Sequence, residues 1–295
     1  MMSPAPAVSI IIPAFNAAPW LKDAVHSVLA QSYRDWELIV VNDGSTDGTS
    51  ALAKSFNDPR IRVIDQTNAG VSAARNAGMA AAQGNLFAFL DADDAMLPET
   101  LNRKVGTLRN SGVDWVFGDM ALCNPLLEPT GEALIGTRGD VLRTVLLNIS
   151  TAVPGASSNL VIRRRCFEQG VAFDTSLSNS ADQDFTVQLA ARFSYQYVPD
   201  AANLYRIMPG TMSKNVSRYQ EDHLRFFRKV TAQGFLHDRR FRNECMANVY
   251  WAIGGSWWIM AHKPAKAIPF FFKAVLLNPR VLVRPIRKRV KPWLG

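Results

Sequence analysis

Three carboxylates, Asp91, Asp93 and Asp94, stand at the end of a short apolar run from Leu86 to Leu90. A run of this kind reads as a strand buried on both faces. Open α/β sheets bind ligands beyond the carboxyl ends of their strands, so acids delivered there lie where a ligand would sit. Asp91 and Asp93 are two residues apart and face the same way in an extended chain. Two carboxylates aimed at one point repel unless a cation lies between them. An oxygen-only donor set suits Mg²⁺ or Mn²⁺, and such ions commonly bridge to a diphosphate. The competing reading is a solvated acidic loop leading into a helix at Pro98.

The flanking chain supplies strands and helices in alternation. Val8 to Ile12 is a β-rich apolar run stopped by Pro13, and Leu38 to Val41 is a second buried run. Between them, Leu21, Val25, Val28 and Leu29 fall on one face of a helix over Trp20 to Ala30. Asn42 to Gly48 is a dense turn, in which Ser45, Thr46 or Asp47 can cap the next helix. Ile61 to Ile64 reads as a third strand, Ala73 to Ala82 as an alanine-rich helix closed by Gly84, and Val113 to Phe117 as a fifth strand. This alternation predicts βαβ units and a mainly parallel sheet flanked by helices.

The 295 residues are 48% hydrophobic and 20% charged, the balance of a globular protein. Cys123, Cys166 and Cys245 are scattered, which excludes a disulfide framework and suits a reducing compartment. No signal peptide and no spanning run is expected. Nucleotide signatures of the G-x-G-x-x-G and P-loop kinds are missing. Asp43 to Lys54 opens like a calcium loop but ends in Lys where that loop needs Glu.

Four blocks taken together carry a resemblance. They are Val8-Ser-Ile-Ile-Ile-Pro-Ala-Phe-Asn16, Val41-Asn-Asp-Gly-Ser-Thr-Asp47, Asn68-Ala-Gly70 with Ala74-Arg-Asn-Ala-Gly78, and Leu90-Asp-Ala-Asp-Asp94. In order and interval they resemble the family 2 glycosyltransferases, inverting enzymes of the GT-A fold, over residues 7–215. The resemblance implies a Rossmann-like, mainly parallel sheet, with residues 7–120 as the nucleotide-sugar-binding half and 121–215 as the acceptor half. It implies donor contacts from Pro13, Phe15, Asn16, Asp43, Asn68, Arg75, Asp91 and Ala92. Phe15 would stack on the base, with plain core packing as the competing reading. Asp43 would accept a base N–H, or else is a turn aspartate. Arg75 would attend the base and diphosphate, or else lies on a helix surface. Asp91 and Asp93 would hold Mn²⁺ or Mg²⁺, with Asp94 behind them. UDP is the family's commonest carrier, although uracil, thymine and guanine all offer a ring N–H.

The stretch Gly170 to Leu177 followed by Ser180-Ala-Asp-Gln-Asp-Phe185 resembles the approach to the family's catalytic base. Asp182 is the implied base and Asp184 the next acid; Ala181 replaces the usual first acid of the pair. An N-cap for a helix over Phe185 to Arg192 is the alternative for Asp182. Around Pro209-Gly210 the family has a closing loop, which makes Arg206 a diphosphate candidate, and Met208 stands where a His is common. The processive motif Q-x-x-R-W is missing after the base, so one sugar per encounter is expected. The implied activity is transfer from a nucleotide sugar to a glycan or lipid-linked acceptor of cell-surface polysaccharide assembly. A non-catalytic nucleotide-sugar-binding module on the same fold is the runner-up.

Residues 216–295 fall outside the resemblance and read as a helical extension: Arg218 to Val230, Phe241 to Met260 and Ala265 to Leu277. This part holds 16 Lys and Arg against 4 Asp and Glu, whereas the whole chain carries a net charge of +8. Six of those basic residues lie within residues 280–295, interleaved with apolar ones and with no acid. Such a segment suits an anionic membrane surface or a solvated tail; no nucleic-acid module accompanies it, so no nucleic-acid partner is expected. The expected location is the cytoplasm, at the inner face of the cell membrane.

Overall fold

The computed structural model describes residues 6–200, 202–207 and 215–283, and the backbone of 290–292. The first half alternates as expected. Strands β1 (Val8–Ala14), β2 (Trp36–Asp43), β3 (Ile61–Gln66) and β4 (Leu86–Phe89) are separated by helices α1 (Leu21–Leu29), α2 (Thr49–Ser55) and α3 (Val71–Ala81). A two-residue strand β5 (Ala95–Met96), helix α4 (Thr100–Ser111), β6 (Trp115–Phe117), β7 (Met120–Cys123) and β8 (Pro129–Leu134) follow. Then come α5 (Val141–Leu147), β9 (Leu160–Arg163), α6 (Arg164–Glu168), α7 (Ala181–Arg192), β10 (Tyr195–Tyr197) and β11 (Asn203–Arg206). The extension forms α8 (Val216–Ala232), α9 (Arg239–Gly255), α10 (Pro264–Leu277) and a last strand, β12 (Val290–Pro292).

Among the described residues the main sheet has seven strands in the order β10-β6-β9-β4-β1-β2-β3. It is parallel except for β9, which runs antiparallel to both β4 and β6. The chain leaves β1 toward β2 and β3, then returns to β4 on the other side of β1. That reversal opens a crevice beyond the carboxyl ends of β1 and β4, where open α/β sheets take ligands. A smaller sheet, β12-β8-β7-β11-β5, draws on the end of the first half, the second half and the extension.

Both faces of the main sheet are covered, which is why its strands read as unbroken apolar runs. Ile11, Ile39, Val41, Phe87 and Phe89 join the cluster under α3 and α7. Ile10, Ile12, Leu38, Val40 and Ala88 join the opposite cluster, with α1 and α4. The first cluster continues without a break into Phe226, Phe227 and Val230 of α8 and Val249 and Ile253 of α9. The extension therefore shares the core of the sheet domain.

Three expectations shift. Pro13 lies inside β1 rather than ending it. Past Ile11 the strand has no β4 partner, so a residue without an N–H is tolerated there. The expected helix over Phe241 to Met260 breaks at Gly254 and Gly255 into a π turn over Ser256–Met260. A Cβ on Gly254 would stand 2.7 Å from the Phe271 ring, so close packing of α10 on α9 fixes that glycine. Of the basic segment 280–295, residues 284–289 and 293–295 lie outside the described residues, and Val290–Pro292 pairs with β8. No described helix is long and apolar enough to cross a membrane.

One buried cation ties fold to site. Lys104 on α4 points its ammonium at the backbone oxygen of Asn159 (2.9 Å) and at Asn159 Oδ1 (2.6 Å). Asn159 Nδ2 in turn donates to Gly118 and Pro154 carbonyls. This fixes the segment that carries Ser157 and Ser158. Burial pushes the Lys104 ammonium down to about 7, with Asp119 opposing. Between about pH 7 and the ordinary lysine range the unfolded chain then binds more protons, so stability rises with pH in that window. The cost of the buried charge is present in full below about pH 7. Urea titrations at pH 7 and 8.5 should show wild type gaining up to about 1.4 kcal/mol per pH unit relative to Lys104→Met; parallel behaviour of the two would contradict this.

Candidate active site

Strand parity decides where the acids point. Asp91 continues the side of Phe87 and Phe89, the side on which α3 and α7 pack. There Arg75 meets it: Arg75 Nη2 lies 2.6 Å from Asp91 Oδ1, and Nη1 lies 3.0 Å from Asp182 Oδ1. The Arg75 side chain is 4% exposed, while those of Asp91 and Asp182 are 32% and 31% exposed. The guanidinium thus forms the floor, and the two carboxylates open to the crevice. Phe173 backs the guanidinium, its ring centre 5.1 Å from Arg75 Cζ. Burial opposes charge on Arg75, but Asp91 and Asp182 outweigh it and hold the group protonated. Burial raises the Asp182 carboxyl above its ordinary range; Arg75 pulls the other way and the charge of Asp91 adds to the rise.

The Ala74-Arg-Asn-Ala-Gly78 block is now accounted for residue by residue. Ala74 is buried, Arg75 reaches the acids, and Asn76 brackets Phe173, donating to its carbonyl and accepting from its N–H. A Cβ on Gly78 would stand 2.4 Å from Ile11 Cγ2, so α3 can lie this close to β1 only with glycine there.

Asp182 is the second residue of α7 and does not cap it; the helix starts at Ala181, earlier than expected. The segment before it is held by α8, whose Asp222 accepts from the N–H groups of Ser178 (3.0 Å) and Ser180 (2.7 Å). Two residues on, Asp184 lies on the opposite side of the helix. It is buried against Lys229 at 2.9 Å and Gln188 at 2.7 Å, away from Arg75.

Asp93 and Asp94 complete the acidic turn. Burial, then the charge of Asp91, raises the Asp93 carboxyl. Burial with the charges of Asp91 and Asp93 pushes Asp94 well up. Asp94 Oδ1 accepts the Arg206 N–H at 3.1 Å and so lies behind the other two. Arg206 itself is a correction to the sequence expectation. Its side chain is buried and spent on the Asp93 carbonyl (2.7 Å), the Pro125 carbonyl and Asp23 Oδ2 (2.8 Å), over the Trp20 ring. It braces the acidic turn from behind and has no face turned to a diphosphate. The loop 208–214, including Met208 and Lys214, lies outside the described residues. Ala92 is buried in the α1–α4 side of the core, so only its backbone faces the crevice.

At the far end of the crevice the exits of β1 and β2 are stitched together. Thr46 N–H donates to Asn16 Oδ1 (2.9 Å), Asn16 N–H to Ser45 Oγ (3.0 Å) and Ala17 N–H to Thr49 Oγ1 (2.8 Å). Asn16 adopts a positive φ of 48°. Asp47 accepts from the Thr49 N–H at 2.9 Å, acting for the α2 terminus although Gly48 is the formal cap. Phe15 projects from this platform, 51% exposed, which rules out the core reading. Asp43 is buried and accepts from Gln66 Nε2 (2.7 Å), Ala69 N–H (2.9 Å) and Gly70 N–H (2.9 Å). One acceptor position remains, on Oδ2. Asn68 is exposed, its backbone folded against Gly44, where a Cβ would come within 2.6 Å.

Among the described residues no three His, Cys, Asp or Glu side chains form a closed metal cage. The acidic turn fits a divalent cation of the open kind, held by one or two carboxylates and completed by substrate phosphates. The ground is the acids themselves: burial first, and then the charge of Asp91 beside them, makes Asp93 and Asp94 resist ionisation, and a cation offsets the part that comes from like charge.

Sequence reading missed Ser157 and Ser158. Ser158 Oγ accepts the Asp91 N–H at 2.8 Å, and the neighbouring Ser157 side chain is buried. The Gly155-Ala-Ser-Ser-Asn159 cluster was the available signal, a turn-like run just before a strand. Asp222 was hidden because it acts from a helix outside the resemblance.

Comparison with known proteins agrees with this geometry. Residues 9–164, more than half of the chain, match the model of "Glycosyl transferase family 2". An Escherichia coli protein named UDP-Glc:alpha-D-GlcNAc-diphosphoundecaprenol beta-1,3-glucosyltransferase WfgD is 34% identical over 118 residues, 40% of this chain and 47% of that one. The chain spans less than half the length of the first curated relatives it matches. Among solved structures, Staphylococcus aureus TarS 1-349 in complex with UDP-GlcNAc superposes with a TM-score of 0.62 at 16% identity, over 95% of this chain and 93% of that one. The mannosyltransferase PcManGT from Pyrobaculum calidifontis, with GDP-Man and Mn²⁺, superposes with a TM-score of 0.61 at 20% identity, over 95% and 81%. These likenesses show a shared GT-A architecture. With the family model matched across β1 to β4 and the acidic turn, the chain belongs to glycosyl transferase family 2.

Proposed function

We propose that this chain is an inverting, non-processive glycosyltransferase. It would move a sugar from a nucleoside-diphosphate sugar, with UDP as the expected carrier, to a hydroxyl of a glycan or lipid-linked acceptor. The observation that carries this reading is the buried guanidinium of Arg75, which alone among the described residues joins both the acid at the end of β4 and the acid at the start of α7. Donor-side and acceptor-side carboxylates thereby face one crevice. Residues 7–120 would serve the donor, 121–215 the acceptor, and 216–295 would support the base helix through Asp222.

In this reading Phe15 stacks on the base and the free position of Asp43 Oδ2 accepts its ring N–H. Asn16, Asn68 and Pro13 shape the loops around it. Asp182 takes the acceptor hydroxyl proton as that oxygen attacks the anomeric carbon opposite the nucleotide. Its raised affinity for protons makes it a better base than an ordinary carboxylate, and Arg75 fixes its orientation. A divalent cation held by Asp93 with Asp91 would neutralise charge on the departing diphosphate. WfgD, by its name, uses UDP-Glc and a diphosphoundecaprenol-linked acceptor, which supports a role in surface polysaccharide assembly at the inner face of the membrane.

A thermal-shift panel of nucleotide sugars with Mn²⁺ tests donor binding. A ligand at 100 times its Kd stabilises the folded chain by about 2.7 kcal/mol. At least one nucleotide sugar should raise Tm by several degrees, and its free sugar should not. A panel with no shift would remove the donor reading.

A further inference from the structure

We propose that the outer face of α10, with the π turn before it, is a docking surface for an anionic lipid bilayer. Among the described residues thirteen large apolar side chains are exposed, and nine of them fall between Trp251 and Val283. Such concentration is the mark of a covered surface rather than of scattered exposure. On α10 the exposed residues Ile268, Phe272 and Leu276 are spaced by four, so they form one ridge along the helix. Phe272 and Leu276 are 70% and 73% exposed. The inner face is already satisfied: Ala274 packs with Ala247 and Val281 against α9. The ridge continues through Phe271, which contacts both Trp251 and Trp258 at ring-centre distances of 4.8 Å and 6.3 Å. Ile259 and Met260 of the π turn extend it.

Charge selects the occupant. Residues 245–295 contain nine Lys and Arg and no Asp or Glu. Four of these, Lys263, Lys266, Lys273 and Arg280, are exposed on the described part of the extension. Lys266 and Lys273 flank the ridge on one side, lying over Trp257 (4.6 Å) and Tyr250 (5.7 Å). A second copy meeting this face symmetrically would set like charges against each other, which is unfavourable. An anionic bilayer satisfies both features: the apolar ridge enters the boundary between headgroups and acyl chains, and the cations meet the headgroups. Tryptophan favours that depth. This surface differs from the segment 284–295 and does not rest on the donor reading, because it needs no nucleotide.

The test is co-sedimentation of the full chain with vesicles of phosphatidylglycerol and phosphatidylcholine, or phosphatidylcholine alone, at low and high salt. Wild type should bind the anionic vesicles, and each exposed cation near the surface should contribute about fivefold. Binding should weaken with salt and be far lower on neutral vesicles. Phe272→Ser combined with Leu276→Ser keeps every charge yet removes apolar burial, and should weaken binding by about tenfold or more. Both positions are exposed, so Tm should not fall. Equal binding of variant and wild type would overturn the proposal, as would no binding by wild type at low salt. Light scattering that shows a wild-type dimer, dissolved by the same substitutions, would assign the face to a second copy instead.

Discussion

Asp182→Asn should lower sugar transfer by about 10²- to 10⁴-fold, the usual contribution of a general base, while donor affinity stays within a few-fold of wild type. The substitution is close to isosteric. Its amide oxygen can still accept from Arg75 Nη1, so the floor of the crevice keeps a partner and the fold should survive. What is lost is the site that takes the acceptor proton. Asp184 cannot replace it, because it points away and is committed to Lys229 and Gln188. Steady-state kinetics should therefore show the loss in kcat with little change in donor Kd. Turnover near the wild-type rate would place the base elsewhere.

Asp93→Ala should abolish the advantage that Mn²⁺ gives to donor binding. Metal stabilisation of a leaving diphosphate is worth several kcal/mol, so kcat should fall by about a hundredfold or more. Stability should move the other way. Asp93 is held above the ordinary carboxylate range by burial and by Asp91, so its ionised form costs stability at neutral pH. Without metal the variant should unfold no earlier than wild type. Calorimetric titration of UDP, with Mn²⁺ and with EDTA, separates the outcomes. Equal metal-supported affinity in variant and wild type would sink the assignment of Asp93.

The first half of this architecture was legible because its signals are local. Buried parallel strands such as Ile10 to Ile12 and Leu38 to Val41 read as apolar runs, and the acids at the end of β4 follow from strand parity. The second half was less legible. Strands of two to four residues in the smaller sheet pair across long separations, as Asn203 does with Met120, and leave no periodicity behind. The antiparallel β9 is a short apolar run in the sequence, but its direction depends on neighbours that no local pattern specifies. Arg206 was a diphosphate candidate only through the closing loop that the resemblance implies, whereas here the guanidinium is buried behind the acidic turn. Arg75 was found by motif, yet its partnership with Asp182 spans 107 positions and needed the folded chain.

In the proposed reaction this crevice transfers one sugar with inversion. The most direct test is proton NMR of the product formed from the nucleotide sugar that the thermal-shift panel selects. The expected product carries a single added sugar whose anomeric configuration is opposite to that of the donor, formed by wild type and nearly absent with Asp182→Asn. A product that retains the donor configuration, or a ladder of sugars built without release, would contradict it. So would a chain that binds the donor and never turns it over.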